Sequence, residues 1–140
     1  MLIGEYPCSI DAKGRLNFPA RLREDLGLRF IIAKGLGKNC LFVYSLEEWQ
    51  ILEKKIKALP ISKAGVLQSF FFASASEAEP DKQGRIVLPA NLRGYGKLEK
   101  DAVVIGVSDH CEIWSRDSWD AVCAATDSEV LASAMEELGF

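Results

Sequence analysis

The chain has 140 residues, which suits one compact domain or two small ones sharing a core. Its 49% apolar and 26% charged residues are the proportions of an ordinary soluble globular protein. The net charge of −3 hides an uneven distribution. Residues 1–70 carry 11 Lys+Arg against 7 Asp+Glu, a net of +4, and residues 71–140 carry 6 against 13, a net of −7. That asymmetry points to a polyanion partner for the N-terminal half; acidic helices that only keep the C-terminal end soluble are the alternative.

Several classes are excluded. No stretch approaches the roughly 18 apolar residues of a membrane span. Met1 to Glu5 has no basic region or long apolar run, so no signal peptide is expected. Cysteines at 8, 40, 111 and 123 form no Cys-x-x-Cys pair, and His110 is the sole histidine. Zinc would want paired ligands at short spacing, so free, reduced cysteines in a cytosolic protein are expected, with no metal and no cofactor.

In chain order, Leu2 to Ile10 reads as a strand, with Pro7 marking an edge or bulge. Asp11 to Gly14 reads as a tight turn: the Asp side chain accepts backbone N–H groups, and Gly14 supplies a positive φ. Arg15 to Phe18 is a short alternating strand with Leu16 and Phe18 on one side and Arg15 and Asn17 on the other. Pro19 opens a short helix over Ala20–Leu26, which Gly27 stops.

Strands are predicted at 29–34 and 40–44. Ser45 and Glu48 form a capping box for a helix to Leu59, closed by Pro60, with Leu46, Trp49, Leu52 and Ile56 as its buried stripe. A second linking helix covers 62–70, and 73–78 is extended. A turn at Asp81–Gly84, a strand at 85–88 and a helix at 89–95 follow. Strands at 102–107 and 111–114 lead to a helix capped by Ser115 and carrying Trp119 and Val122. Residues 128–138 form a terminal amphipathic helix, a surface for packing on a partner subunit.

That order is a repeat. Residues 11–23 and 81–93 match at seven of thirteen positions: Asp, Gly, Arg, Pro, Ala, Leu and Arg. Chance would match about one position in fifteen, so a duplication is the economical reading. Two copies are too few for a solenoid, and each alone is near the size where a core is marginal. A closed pair of pseudo-symmetric halves is expected.

Paired Asp11 and Asp81 raise the question of an acid/base dyad. Each is followed by a basic turn, and nearby cations lower a carboxyl pKa instead of raising it. Turn-forming aspartates are the better reading. Gly35-Leu36-Gly37 lies between strands and lacks the third glycine of a dinucleotide loop. The serines lack a Gly-x-Ser-x-Gly elbow. An enzyme is not expected.

The polar face of the repeated unit remains. Lys13, Arg15 and Asn17 project together, and Lys82, Gln83 and Arg85 make the equivalent set. Arginine can engage phosphate or guanine bidentately, and asparagine can pair with adenine. The alternative, left open by spacing, is that these arginines cover the helix and sheet edge through ion pairs.

Asp-Ala-Lys-Gly-Arg-Leu-Asn-Phe-Pro and Asp-Lys-Gln-Gly-Arg-Ile-Val-Leu-Pro resemble the turn-and-strand signature of AbrB/SpoVT-type swapped-hairpin DNA-binding domains. Two copies at this spacing resemble the MraZ family, as do residues 41–49, 108–114 and 134–139. Before His110 the chain departs from the family, with Val107-Ser108-Asp109 where a Gln-Phe pair more often precedes the acid.

The resemblance implies an α+β fold of two pseudo-symmetric AbrB/SpoVT-like β-barrel halves with peripheral helices, interlocked within one chain. Its divisions would be 5–50 and 76–122 for the two domains, 51–75 for a helical linker and 123–140 for the tail. It implies a cytoplasmic, nucleoid-associated transcriptional regulator, usually a repressor, of the bacterial division and cell-wall gene cluster. A ring-shaped homo-oligomer would bind direct repeats in double-stranded DNA, with no membrane or small-molecule substrate. The DNA loops would be Asp-x-x-x-Arg, here Asp11 and Arg15, Asp81 and Arg85, with Gly14 and Gly84 shaping the turns. A protein-interaction module resembling an antitoxin, docking through the acidic C-terminal helix, is the alternative. A hydrolase would rest on the paired aspartates alone.

Overall fold

The computed structural model describes residues 1–140 and is α+β, with six helices and a mostly antiparallel sheet. The first copy runs β1 (Leu2–Ser9), β2 (Arg15–Asn17), α1 (Ala20–Leu26), β3 (Phe30–Lys34), β4 (Leu41–Ser45), α2 (Leu46–Lys57) and α3 (Ile61–Phe71). The second runs β5 (Ser76–Ala78), β6 (Arg85–Val87), α4 (Ala90–Tyr95), β7 (Asp101–Ser108), β8 (Cys111–Ser115), α5 (Arg116–Ala124) and α6 (Ser128–Glu137).

The main sheet has the order β1-β7-β8-β4-β3-β5. β1 and β5 hold equivalent places in the two copies, as do β3 and β7. Yet β1 pairs with β7, and β5 with β3, so each copy lends its first strand to the other. β4 and β8 meet at the middle. The sheet is open, with β1 and β5 as edges, where two barrel halves had been expected. Lending away the first strand removes the partner that would close each copy on itself. Pro7 sits on edge strand β1, where its missing N–H leaves no gap in a central ladder.

The remaining strands, β2 and β6, form a separate two-stranded antiparallel ribbon. Leu16 and Ile86 face each other there and are buried, together with Phe18, Leu22, Leu88 and Leu92. They join Phe30, Ile32, Leu41, Val104 and Ile113 in one core drawn from both copies. The ribbon is thus fixed from below by the residues of its own alternation, and its other face looks outward.

The helices follow their local signals with some shifts. Ser45 Oγ accepts the Glu48 N–H at 3.2 Å, and Ser115 Oγ accepts the Ser118 N–H at 3.1 Å. α2 ends at Lys57, short of Leu59, because the residue before Pro60 is pushed out of helical geometry. Leu46 does not join the buried stripe; it is 42% exposed at the first turn, while Ile56 is buried and Trp49 and Leu52 are half-buried. α3 packs Ala64 and Phe71 against Ile56 and Ala33. The strand predicted over 73–78 shrinks to three residues because α3 runs on, and Ser74 Oγ donates to the Phe70 carbonyl past its end. α5 and α6 have no buried residue.

At the sheet's centre Glu112 is 2% exposed and fully partnered. Its Oε1 accepts Trp114 Nε1–H at 2.9 Å, and its Oε2 lies 3.0 Å from His110 Nε2 and 3.4 Å from Lys38 Nζ. His110 stacks on Tyr44 and bonds Asp109 at 2.7 Å. The departure before His110 falls on the last two residues of β7 and the first of the two-residue turn to β8, and Ser108 at the strand's end adopts a φ of +79°.

Candidate nucleic-acid interface

Both turns are built alike. Asp11 Oδ1 accepts the N–H groups of Lys13 and Arg15, each at 2.9 Å, and Asp81 Oδ1 accepts those of Gln83 and Arg85 at the same distance. Gly14 and Gly84 sit at φ +78° and +82°, which a side chain rarely tolerates. The Arg15 backbone N–H is the largest cause holding the Asp11 carboxyl below its ordinary range, and the Arg15 side chain adds to it; Arg85 does the same for Asp81. Neither carboxyl is tuned toward acid/base work.

Each arginine is gripped by one edge only. Arg15 Nε donates to Asp11 Oδ2 at 2.6 Å, and Arg85 Nε to Asp81 Oδ2 at 2.9 Å. Their Nη groups make no hydrogen bond within the chain, and both side chains are 34% exposed. The carboxylate therefore aims the guanidinium while leaving its outer edge free. Arg29 behaves otherwise: it lies 3.7 and 3.8 Å from Glu77 and Glu79 and covers the edge strand, as the ion-pairing alternative holds for it.

The register rearranges the expected sets. Arg15 lies across from Val87, and Asn17 across from Arg85. Asn17 thus sits beside the other copy's arginine, not only with Lys13 and Arg15. Lys13 belongs to the turn at the Arg15 end of the ribbon, Lys82 and Gln83 to the turn at the Arg85 end. Asn17 and Gln83 together line a groove of about 880 Å³ that also receives Arg23 and Arg116.

Arg23 and Arg93, identical in the two copies, join the site from α1 and α4. Arg93 Nε donates to the Leu88 carbonyl, and its guanidinium lies against Gly14, where an added Cβ would stand 3.1 Å from it. Arg23 Nε donates to the Phe18 carbonyl and covers Gly84, an added Cβ there falling 2.7 Å from Nη2. The backbone completes the exchange: Leu88 N–H bonds the Gly14 carbonyl at 2.8 Å and Phe18 N–H the Gly84 carbonyl at 2.9 Å. Each turn is therefore held by the other copy. Sequence reasoning counted Arg23 only as added basic charge beside the first turn and missed Arg93, although the two are identical across the repeat. Val87 is the other residue missed, and only the register exposes its place.

An outward ribbon armed with two aimed arginines, and flanked by basic turns, has the form of a polyanion-binding element. The chain matches the model of a family described as "MraZ protein, putative antitoxin-like" over residues 1–65 and 71–138. It is 51% identical over 144 residues to the transcriptional regulator MraZ of Thermoanaerobacter sp. (strain X514), covering all of both chains. It is 54% identical over 140 residues to that of Desulfitobacterium hafniense (strain DSM 10664 / DCB-2), covering 99% of this chain and 96% of that one. The chain belongs to the MraZ family, whose members named here carry the name transcriptional regulator.

Proposed function

We propose that the chain is a sequence-specific DNA-binding regulator that represses the bacterial division and cell-wall gene cluster by binding direct repeats upstream of it. The outward face of the β2–β6 ribbon carries this reading. A two-stranded ribbon is one of the elements that fits the major groove of about 12 Å. Arg15 and Arg85 take guanine edges or phosphates, Asn17 reads an adenine, and Lys13, Lys82 and Gln83 hold the backbone on either side. Asp11, Gly14, Asp81 and Gly84 shape the turns. Each half corresponds to an AbrB/SpoVT-type swapped hairpin within 5–50 and 76–122, with 51–75 as linker and 123–140 as tail.

An acidic monomer binds DNA when a ring-shaped homo-oligomer sets several ribbons along one rim, so that weak sites act together. Equivalent ribbons then meet equivalent sites, which suits direct repeats. No helix of the chain is long and apolar enough to cross a membrane, and the proposed place of action is the cytoplasm, at the nucleoid. A mobility shift on the protein's own upstream DNA tests the reading. Arg15→Ala, with assembly intact, is expected to lose roughly 10- to 100-fold in affinity, the worth of one good bidentate contact. Unchanged affinity defeats the proposal.

One observation favours the antitoxin-like interaction module as a second reading. α6 leaves Val130 and Leu131 exposed, as is Leu138 just past its end, and it has no buried residue. If removal of residues 126–140 abolishes capture of a partner protein while DNA binding is absent throughout, this reading replaces the first.

A further inference from the structure

On the ribbon's outward face, Val87 is the residue that the core does not use. It is 60% exposed, although its neighbours Ile86 and Leu88 are buried. It holds the place in the second copy that Asn17 holds in the first, and the register sets it directly across from Arg15. The ribbon is therefore symmetric in its arginines and asymmetric in what stands beside them: Arg15 with Val87, Arg85 with Asn17.

We infer that Val87 determines specificity by packing on the 5-methyl group of a thymine beside the base pair engaged by Arg15. The inference rests on the DNA-binding reading above. Valine has no group that hydrogen-bonds a base edge, and thymine's methyl is the apolar feature the major groove displays. Residues across a β-ladder have Cβ atoms about 5 Å apart, and base pairs stack about 3.4 Å apart, so the Arg15–Val87 pair addresses adjacent base pairs. The second pair lies two residues along the strand, about 6.7 Å away, and presents Asn17 to adenine instead. Two equivalent halves would read an inverted repeat. This ribbon, with unlike neighbours beside its two arginines, reads a directed sequence.

The test removes only the methyl. In the duplex of the protein's upstream region, each thymine is replaced in turn by deoxyuridine, and the dissociation constant is measured by fluorescence anisotropy for the full chain and for Val87→Ala. At one position or more, the replacement is expected to weaken the unaltered chain roughly three- to fivefold, the effect of one buried methyl. Val87→Ala is expected to show no further loss at that position, while keeping its assembly by size exclusion and its salt dependence. Binding that is indifferent to every replacement overturns the inference alone, as does a Val87→Ala variant with the same methyl dependence or with a broken assembly. Failure of the unaltered chain to bind the duplex overturns the DNA-binding reading as well.

Discussion

Asp11 is short of its second role without Arg15. One oxygen organises the turn's backbone and the other grips the arginine's Nε, so a single carboxylate shapes the loop and aims the cation. Asp11→Asn keeps an acceptor for the turn but gives up the charge-assisted grip, which is about twice as strong as a neutral bond. Affinity for DNA is expected to fall even though a negative charge has been removed, whereas simple repulsion from phosphate would predict a rise. Binding isotherms at fixed salt decide between the two. Arg15→Lys should recover little of what Arg15→Ala loses, because an ammonium cannot be held by one edge while presenting another. Beneath them Leu16 is fully buried, and Leu16→Ala is expected to cost about 2–5 kcal/mol in a urea titration.

Among the elements, the ribbon depends on α1 and α4 in crossed fashion. Arg93 covers the turn of Arg15, and Arg23 covers the turn of Arg85. Double-mutant cycles in DNA affinity should therefore couple Arg93→Ala to Arg15→Ala by about 0.5–3 kcal/mol, and couple Arg93→Ala to Arg85→Ala more weakly. Coupling confined to the same copy would contradict the crossing. The turns, strands and caps were legible in the sequence because their signals are local: an Asp and a Gly at fixed offsets, a period of two, a Ser before Glu48. That the halves interlock was an expectation of the resemblance alone; which residue covers which turn was not legible, since pairing between residues 70 apart leaves no local mark. The exposed Leu46 and the pairing of Asn17 with Arg85 were missed for the same reason; both depend on what faces the element, not on the element's own pattern.

The centre of the sheet carries a separate expectation for stability. Burial alone would depress the His110 imidazole, but its bonds to Glu112 and Asp109 outweigh burial and raise its pKa above 6.5. A raised histidine contributes stability that is fully present below its unfolded value and is lost as pH rises through the folded one. The urea midpoint should therefore drop as pH climbs from about 6.5 through the raised value, and His110→Gln should abolish that drop. Burial raises Glu112, yet His110, Trp114 and Lys38 outweigh it and leave its pKa low. Its contribution is present above the ordinary carboxyl range and disappears in acid.

At the scale of the whole molecule, duplication explains how 140 residues yield one core and two turns. Neither copy completes its own sheet, so the halves cannot separate without exposing Ile10, Phe30 and Val104. The α+β class and the family were legible because the repeated motif is long and specific. The open sheet was not, because closure depends on which strand is lent across. Basic residues of both copies, Lys13 and Arg15 from the first and Lys82 and Arg85 from the second, lie on the ribbon and its turns, although the second half of the chain is acidic as a whole. Whether the ribbon binds DNA is decided by protection footprinting of the protein's own upstream DNA, at low and moderate salt, with the unaltered chain and an Arg15→Ala, Arg85→Ala variant. Regularly spaced protected patches on direct repeats are expected, weakening steeply as salt rises and absent with the variant. No protection at low salt, or equal protection by the variant, would contradict it.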